Sequence, residues 1–453
     1  MKKTVYYRLH FTLESPLSIG SGAGESTDKD MIVDKYGTPF IPGTSLAGVL
    51  RSSMKDKKEQ EHLFGSVRIN TKADGAASDS GDDSRESAVK VYDALLDTQS
   101  DNGSEEYGRF YITERDSVAL KDKVSAEGAK FDFQAVETGA KFIGYLELTV
   151  PGTEENTPEE QKIENALAQL NSGDLRLGAK TTRGCGEVSV EVKKKTFAFT
   201  RDENDQRDAW LLFDMFDESV WKDVAPLAIS AETQNIHIVM ELKNKAGVSI
   251  REYSTDIPTE DENKPDYLQL SLHNADKTPV IPGSSWAGAF RERFGQFTCK
   301  DAVEDLFGYV TQGKPSGDKK PARKSRITFS ESQLFGGQWK NLTRNSIDRF
   351  SSATKDGNLY TEQTYYGGAT RLEIIADRKT LAKYNTPFSC VLKDLHNGYL
   401  AVGGLTAVGR GLFAIVKMTV DGADVTDRIT SPDGVLTEQD IVCEKGGEEN
   451  HAE

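Results

Sequence analysis

The chain has 453 residues, of which 37% are hydrophobic and 28% charged, and its formal net charge at pH 7 is −16. At roughly 150 residues per domain, this length predicts about two to four domains. No apolar run approaches the ~18 residues that a membrane-spanning helix requires. The negative charge disfavours a nonspecific nucleic-acid binder, but much of it lies in loop-like segments, and a local groove can still be basic.

The amino-terminal segment and the cysteines indicate the cellular compartment. Residues 1–16 contain no apolar stretch long enough for a secretory signal. Cys185, Cys299, Cys390 and Cys443 lie far apart, without the spacing of a zinc site or a disulfide scaffold. We therefore expect a protein of the reducing cytoplasm.

Hydrophobic periodicity predicts the elements of the first part of the chain in order. Residues 5–13 alternate like a half-buried strand, and residues 38–43 form a short strand that ends in a Pro-Gly turn. A helix follows, with its N-cap at Thr44 or Ser45. The next elements are a strand, a helix and a strand, over residues 141–150, 158–170 and 186–194. This order predicts an α+β fold, a β-α-β-β-α-β ferredoxin-like unit with long insertions.

Several motifs occur twice in the same order. TPFIPGTSLAGVLR (38–51) recurs as TPVIPGSSWAGAFR (278–291), with most positions identical, and a Leu-Phe-Gly step follows each copy. LGAKTTRGCGEV (177–188) aligns with VGGLTAVGRGLF (402–413) through its glycines and one threonine. Motifs that repeat together in order indicate two copies of one domain.

The repeats predict the domain boundaries. Residues 113–131 also resemble residues 343–360, more weakly, and in each copy this segment lies between the two strongly matching motifs. The predicted first domain covers residues 1–199 and is followed by a partly helical docked connector over residues 200–232. The predicted second domain covers residues 233–420, and a polar C-terminal tail covers residues 421–453.

A Pro-Gly turn and hydroxyl residues precede the first predicted helix of each copy. A helix N-terminus presents unpaired N–H groups and a positive dipole end, so it suits a phosphate. Alternatively, the hydroxyls serve only as N-caps. The candidate phosphate-binding residues are Thr44, Ser45 and Arg51 in the first copy and Ser284, Ser285 and Arg291 in the second.

The later glycine-rich segment combines flexible backbone, hydroxyls and cations, which suits close approach to a polyanion. It lacks the Lys-Ser/Thr ending of a nucleotide P-loop, and it follows a helix and precedes a strand, the reverse of a dinucleotide fingerprint. NAD and ATP are therefore disfavoured. The candidate residues are Gly178, Lys180, Thr181, Arg183 and Gly184, and in the less basic second copy Gly403, Thr406, Gly409 and Arg410.

Three aspartates, Asp28, Asp30 and Asp34, lie just before the first of these turns. They form either a solvated polar loop or a carboxylate site. The six histidines are scattered along the sequence, which contains no GxSxG, HExxH or Cys-His signature of a hydrolase.

The combination of IPG(T/S)S, a helix with a downstream arginine and a late Gly-x-Gly loop resembles the RAMP superfamily of CRISPR-associated proteins. The closest likeness is to tandem backbone subunits of type III effector complexes, of the III-D-like kind. The resemblance implies two tandem ferredoxin-like (RRM-like) domains with inserted thumb segments. It also implies binding of guide RNA (crRNA), for which Arg344 and Arg349 in the second thumb segment are further candidates.

The same resemblance implies an activity and partners. In the family, an aspartate in the loop before IPG cleaves target RNA with a divalent metal, Mg²⁺ or Mn²⁺, and lies six residues before a second acid. Asp28 and Asp34 have this spacing, so Asp28 is the catalytic and metal-binding candidate. The implied partners are crRNA, target RNA, a large polymerase-like subunit, other RAMP subunits and a small subunit, with no membrane.

The second copy departs from the acidic pattern, and two alternatives to catalysis remain open. The residues at equal distance from its IPG proline are Leu268 and Asn274, so Asp266 takes the catalytic place only if the loop shifts by two residues. One alternative is a non-catalytic crRNA-binding scaffold. The other is a metal-independent guide-processing endoribonuclease of the same superfamily, which needs a general acid/base histidine, and His62 is the only candidate near a helix.

Overall fold

The computed structural model divides the chain into two compact units. It describes residues 2–22, 27–66, 85–98, 112–121, 124–199, 204–230, 233–252, 265–272, 277–310 and 322–441. The first unit comprises residues 1–113, 133–179 and 186–233, and the second comprises residues 114–132, 180–185 and 234–453.

The first repeat is built on an antiparallel sheet with helices on one face. Its strands, together with its inserted hairpin, are β1 (Lys2–Leu13), β2 (Phe40–Ile41), β3 (Val89–Val91), β4 (Ala94–Leu96), β5 (Ile112–Lys121), β6 (Val124–Val136), β7 (Lys141–Pro151) and β8 (Val188–Phe199). The helices are α1 (Gly43–Ser52), α2 (Lys57–Phe64), α3 (Pro158–Asn171) and, in the connector, α4 (Asn204–Leu211). The sheet order is β2-β4-β7-β1-β8, with β3 on β7, and β5 pairs with β6 as a separate hairpin.

The second repeat has the same plan. Its strands are β9 (Asn235–Asn244), β10 (Gly247–Val248), β11 (Arg251–Glu252), β12 (Leu268–Gln269), β13 (Val280–Ile281), β14 (Ile327–Phe329), β15 (Ser332–Ile347), β16 (Thr354–Asp377), β17 (Phe413–Val420) and β18 (Ala423–Asp424). Its helices are α5 (Gly283–Phe297), α6 (Lys300–Phe307), α7 (Arg378–Lys383), α8 (Asn385–Asn397), α9 (Thr426–Thr430) and α10 (Glu438–Ile441). The sheet runs β13-β15-β16-β9-β17-β18, with β10 and β14 on β16, while β11 pairs with β12.

Both sheets confirm the predicted ferredoxin-like fold. In each, the first long strand (β1 or β9) lies between the strand that follows the glycine-rich segment (β8 or β17) and the strand that precedes the second helical segment (β7 or β16). The alternation of β1 explains its place: Val5, Tyr7, Leu9 and Phe11 are fully buried and form one core with the helices. Because side chains alternate along a strand, the residues between them face the opposite side of the sheet.

The connector covers that opposite side in the first unit. Tyr6 and Phe197, from β1 and β8, pack with Met215 and Trp221 of the connector in a separate aromatic cluster. The Trp210 indole N–H donates to the Tyr6 hydroxyl over 2.8 Å. These connector residues therefore pack on the sheet face that corresponds to the one on which RNA-recognition modules stack bases.

Two details of the prediction need correction. The first helix of each repeat begins at Gly43 or Gly283 with Pro42 or Pro282 as N-cap, and no side chain caps it, so Thr44 and Ser45 are not N-caps. Proline suits this place because its fixed φ, −58° at Pro42, matches an extended N-cap.

The predicted polar tail, residues 421–453, is folded over its described part. Residues 423–441 form β18, α9 and α10, and Ile429, Leu436 and Ile441 are buried in the second core. Burial of these three apolar side chains explains why this segment packs. Residues 442–453 lie outside the described part of the chain.

A buried ionic network ties α3 to the sheet in the first unit. Glu160 forms a capping box with Thr157 at the start of α3 and pairs with Lys3 and with Lys194, the latter over 2.7 Å. Lys3 and Glu160 are almost fully buried. Burial alone would raise the pKa of Glu160, but hydrogen bonds from Lys194 and Lys3 hold that pKa below its ordinary value.

We predict that Glu160→Gln selectively destabilises the first unit. The substitution leaves Lys3 buried without its counter-charge, which costs about 3–5 kcal/mol. The measurement is amide hydrogen exchange in β1 and α3, with Glu191→Gln, at an exposed position on β8, as the control.

The same network predicts a pH dependence. Because the folded-state pKa of Glu160 is lowered, its contribution to the free energy of unfolding is present above its ordinary pKa of 4.5 and is lost as the pH falls through the lower folded value.

For the substitution experiment, equal exchange rates in the Glu160 and Glu191 variants would contradict a stabilising network.

Candidate functional site

The two glycine-rich loops have the same backbone. Lys180 and Leu405 hold the left-handed conformation at φ 56° and 57°, and a 3₁₀ turn follows each, over Thr181–Arg183 and Thr406–Val408. The N–H groups of Cys185 and Arg410 then donate back to the carbonyls of Lys180 and Leu405, over 3.4 Å in both cases. The loops are therefore equivalent in structure as well as in sequence.

Glycine is required where each loop crosses its neighbouring chain. Gly186 and Gly411 have positive φ, and a Cβ at either would overlap the carbonyl of Leu177 or Val402. Gly178 and Gly403 likewise lie against backbone, at Ser18 and Ser249. These glycines serve packing.

The remaining glycines of the two loops differ. Gly184 is buried against Gly283 and the Phe329 carbonyl, within the second unit. Gly409 is exposed, and a Cβ added there would have no atom of the described residues within 4 Å. Gly184 therefore packs, while the backbone at Gly409 is accessible.

The cations predicted on the glycine loops differ in exposure. Arg183 is exposed. The Lys180 ammonium nitrogen is buried and lies 4.8 Å from the centre of the Phe131 ring. Arg410 is 3% exposed and pairs with Glu362 over 2.5 Å. Thr181 and Thr406 are half-buried.

An acidic residue lies near each predicted phosphate site at the helix N-termini. The Gly43 N–H donates to the Asp93 carboxylate over 2.7 Å. Glu331 is the counterpart of Asp93 in the second repeat, since it follows Phe329 by two residues as Asp93 follows Val91. The Glu331 carboxylate pairs with Arg115 over 2.5 Å. A carboxylate at a helix N-terminus stabilises the helix and competes with a phosphate. Thr44 and Ser284 are exposed, and Ser45 and Ser285 are half-buried.

The two downstream arginines differ in their contacts. Arg291 donates to the carbonyls of Phe307 and Gly308, at 3.4 and 3.0 Å, and so caps the Leu-Phe-Gly end of α6. Arg51 is half-buried in the last turn of α1. Arg291 thus has a structural role beyond any contact with a ligand.

Backbone hydrogen bonds place Asp28 and Asp266 at equivalent positions. The N–H of Gln134, on β6, donates to the carbonyl of Lys29 over 2.9 Å, and the N–H of Gln363, on β16, donates to the carbonyl of Tyr267 over 2.8 Å. Asp28 and Asp266 each come one residue earlier. The second strand of each hairpin therefore holds an aspartate-bearing loop in the same register.

The following hydrogen bonds explain the two-residue shift. Asp34 donates its N–H to the Thr38 carbonyl over 2.9 Å, and Leu272 donates to the Thr278 carbonyl over 2.8 Å. The second turn is longer by two residues, so Leu268 corresponds to Asp30 and not to Asp28. Asn274 lies outside the described residues.

The three aspartates of the first loop have different roles. The Asp30 carboxylate accepts from the N–H and hydroxyl of Thr27, at 2.8 and 2.9 Å. The Asp34 carboxylate accepts from the N–H groups of Tyr36 and Thr38, and so shapes the turn. Asp28 is exposed between these two closed turns.

Asp266 is also exposed, and its carboxylate is oriented by the hairpin. Its Oδ2 accepts from the N–H of Thr361 over 2.6 Å, while its own N–H donates to the Thr361 carbonyl over 2.8 Å. No three His, Cys, Asp or Glu side chains gather around a common point in the described part of the chain. A metal at either aspartate would therefore have fewer than three such ligands from the described residues, and Mg²⁺ commonly binds through one or two carboxylates, with water and phosphate oxygens as its other ligands.

The hairpin of β15 and β16 extends past the sheet. Its base pairs with β9 from Ala369 onward, whereas the earlier part of β16 pairs with β15 up to Ile347. Ile347, Phe350 and Leu359 are exposed near its tip, and Phe350 is 96% exposed. Arg349 is exposed at this tip, and Arg344 lies lower on β15.

The structure adds residues that sequence reasoning missed. Glu362 and Arg251 form a charged cluster with Arg344 and Arg410, and the ring of Tyr267, which follows Asp266 in the chain, lies against Arg251. No repeat pattern marks them, because Glu362 corresponds to Phe133 in the first copy when Gln363 is aligned with Gln134.

Comparison with known proteins agrees with the repeat and its geometry. The model of the RAMP superfamily matches residues 10–189 and, separately, 225–414. No curated protein matches the chain significantly. No helix in the described segments has the length and hydrophobicity needed to cross a membrane. The chain belongs to the RAMP superfamily and is a CRISPR-associated RNA-binding protein with two tandem RAMP domains.

Proposed function

We propose that the chain is a double backbone subunit of a type III CRISPR effector complex, which binds crRNA and cleaves complementary target RNA at Asp28 and Asp266. The observation that carries the proposal is the pair of equivalent hydrogen bonds from Gln134 to Lys29 and from Gln363 to Tyr267. They present an exposed aspartate beside a hairpin in both repeats, although the sequence spacing is preserved in only one.

The chemistry requires little from the protein. RNA carries its own nucleophile, the 2′-hydroxyl, so the protein must orient the scissile phosphate and stabilise developing charge. A bound Mg²⁺ or Mn²⁺ would supply that charge stabilisation. Asp28 or Asp266 would hold the cation, and the Thr361 N–H would fix the orientation of the Asp266 carboxylate.

The RNA would be held mainly through its backbone. Arg183 offers an exposed cation, and Thr44, Ser45, Ser284 and Ser285 offer hydroxyls at the helix starts. Such contacts position a strand without reading its sequence. Because the chain is acidic overall, we expect the large polymerase-like subunit, other RAMP subunits and the small subunit to complete the basic surface around the crRNA.

The two alternative functions differ in their support. A scaffold without catalysis uses the same surfaces and differs only in the roles of Asp28 and Asp266. For a metal-independent guide-processing enzyme, His62 is the candidate, and its Nε2 lies 3.1 Å from the Glu159 carboxylate on α3. Neither glycine-rich loop contains a histidine, so the metal-dependent proposal is the stronger one.

We predict that Asp28→Ala and Asp266→Ala each abolish one metal-dependent cut in a complementary RNA. Binding of crRNA should persist, since neither carboxylate attracts the RNA backbone. The measurement is the fragment pattern of target RNA in the assembled complex, with Asp34→Ala, which alters only the turn, as the control.

Loss of both cuts with EDTA is expected as well, and cutting that survives EDTA would favour the metal-independent alternative. If every cut survives in both alanine variants, the aspartates are not catalytic and the chain is a scaffold.

We also predict that Arg183→Ala weakens RNA binding to a similar extent for unrelated sequences. The loss of one phosphate contact should lower the slope of log affinity against log salt by about 0.7 for single-stranded RNA. Arg207→Ala, at an exposed position on the connector, is the matched control. A slope equal to that of the unsubstituted chain would remove Arg183 from the RNA-binding surface.

A further inference from the structure

A buried carboxylate lies at the base of the hairpin in the second unit. Glu362, on β16, is fully buried and is one residue away from Thr361, which binds Asp266. Its Oε1 is 2.5 Å from Arg410 and 3.4 Å from Arg344, and its Oε2 is 3.8 Å from Arg251. One carboxylate therefore faces three guanidinium groups.

The arginine cluster, Arg251, Arg344 and Arg410 around Glu362, carries more positive than negative charge. Three guanidiniums and one carboxylate leave a formal charge of +3 − 1 = +2. Gathering like charges is unfavourable unless a counter-ion separates them. Glu362 neutralises one of the three, so the arrangement has capacity for a further anion.

The exposure of the three arginines shows where that anion would bind. Arg410 is buried, whereas the side chains of Arg251 and Arg344 are 30% and 34% exposed. The Arg251 Nε is buried without a hydrogen-bond acceptor among the described residues. The Arg251 guanidinium carbon also lies 4.3 Å from the centre of the Tyr267 ring. The exposed part of a guanidinium presents N–H donors to solvent, and such donors suit a phosphate oxygen.

The first repeat lacks three of the four residues of this cluster. Phe133 stands in the place of Glu362, and Cys185 in the place of Arg410. Gly20 stands in the place of Arg251, because Gly20 pairs with Met31 in the first repeat as Arg251 pairs with Gln269 in the second. Phe133 and Cys185 are buried. The charged cluster is therefore a property of the second repeat and not of the common fold.

We propose that the arginine cluster is a phosphodiester site that holds an RNA strand against Asp266, and that Glu362 is its positioning residue. This inference rests on the proposed function and deepens it, since it assigns the second repeat a phosphate contact that the first does not have. Arg251 and Arg344 contact the phosphate. Arg410 and Glu362 lie beneath them and join the hairpin to the glycine loop.

The first experiment measures binding of the full-length chain, assembled with its partner subunits, to a labelled single-stranded RNA and to the same RNA paired with its complement, over a range of salt. Arg251→Ala and Arg344→Ala should each lower the salt slope by about 0.7 with single-stranded RNA. Arg371→Ala, which removes an exposed arginine from another part of β16, should leave the slope unchanged. Effects confined to the paired RNA assign the site to the target strand, and effects on the unpaired RNA assign it to the guide strand; both support the site.

The second experiment separates positioning from simple charge. Glu362→Gln raises the net charge of the cluster, so a purely electrostatic role predicts tighter RNA binding and unaltered cleavage. A positioning role predicts retained binding with at least tenfold slower cutting at the Asp266-dependent position and unchanged cutting at the Asp28-dependent one. Arg251→Lys, which keeps the charge but not the planar group, should retain the salt slope and slow the same cut.

The outcomes distinguish failure of the proposed function from failure of the phosphodiester site. Absence of salt-dependent RNA binding by the assembled, unsubstituted complex would overturn the proposed function and this site with it. Normal RNA binding with unchanged slopes in both alanine variants would overturn the phosphodiester site alone. Thermal unfolding of each variant identifies misfolding, and the Arg251→Lys variant then provides the test without loss of charge.

Discussion

The geometry of the candidate site depends on one constraint, the hydrogen bonds by which the second strand of each hairpin holds the acidic loop. Gln134 and Gln363 donate their N–H groups to the residue after Asp28 and Asp266. A backbone bond of this kind is insensitive to the side chains around it, so it preserves the position of the aspartate while the neighbouring residues diverge. The difference in turn length between the repeats lies beyond this point, between Leu272 and Thr278, where it does not move the aspartate.

The two repeats differ in the residues at equivalent positions near this loop. In the first, Phe133 and Cys185 are buried, whereas in the second Glu362 and Arg410 occupy the corresponding positions. An apolar contact stabilises without direction, but a buried charge is tolerated only when its partners are held in place. The second repeat therefore contains buried charges whose partners must be held in place. A charged cluster that is partly exposed at Arg251 is typical of a site for a charged ligand.

The sequence predicted the fold and the repeat well, since these depend on patterns that a sequence displays. Alternation in residues 5–13 marks the central strand, and the glycines of 177–188 and 402–413 recur because only glycine fits against the Leu177 and Val402 carbonyls. The solvent exposure of the charged side chains was less predictable. Lys180 and Arg410 have the composition of RNA-binding residues, yet both place their charged groups in the interior. Their environment is set by Phe131 and Glu362, which are distant in the chain and belong to no motif.

The covered sheet face of the first unit limits where RNA can bind. In RNA-recognition modules of similar topology, aromatic residues on the sheet stack the bases. Here Tyr6 and Phe197 occupy that face but pack against Trp221 of the connector, and Trp210 hydrogen-bonds to Tyr6. Bases cannot reach these rings without displacing a buried aromatic cluster. At the start of α1, by contrast, Thr44 is exposed and Ser45 is half-buried. Hydroxyls at a helix start suit contacts with the phosphates of a strand rather than with its bases.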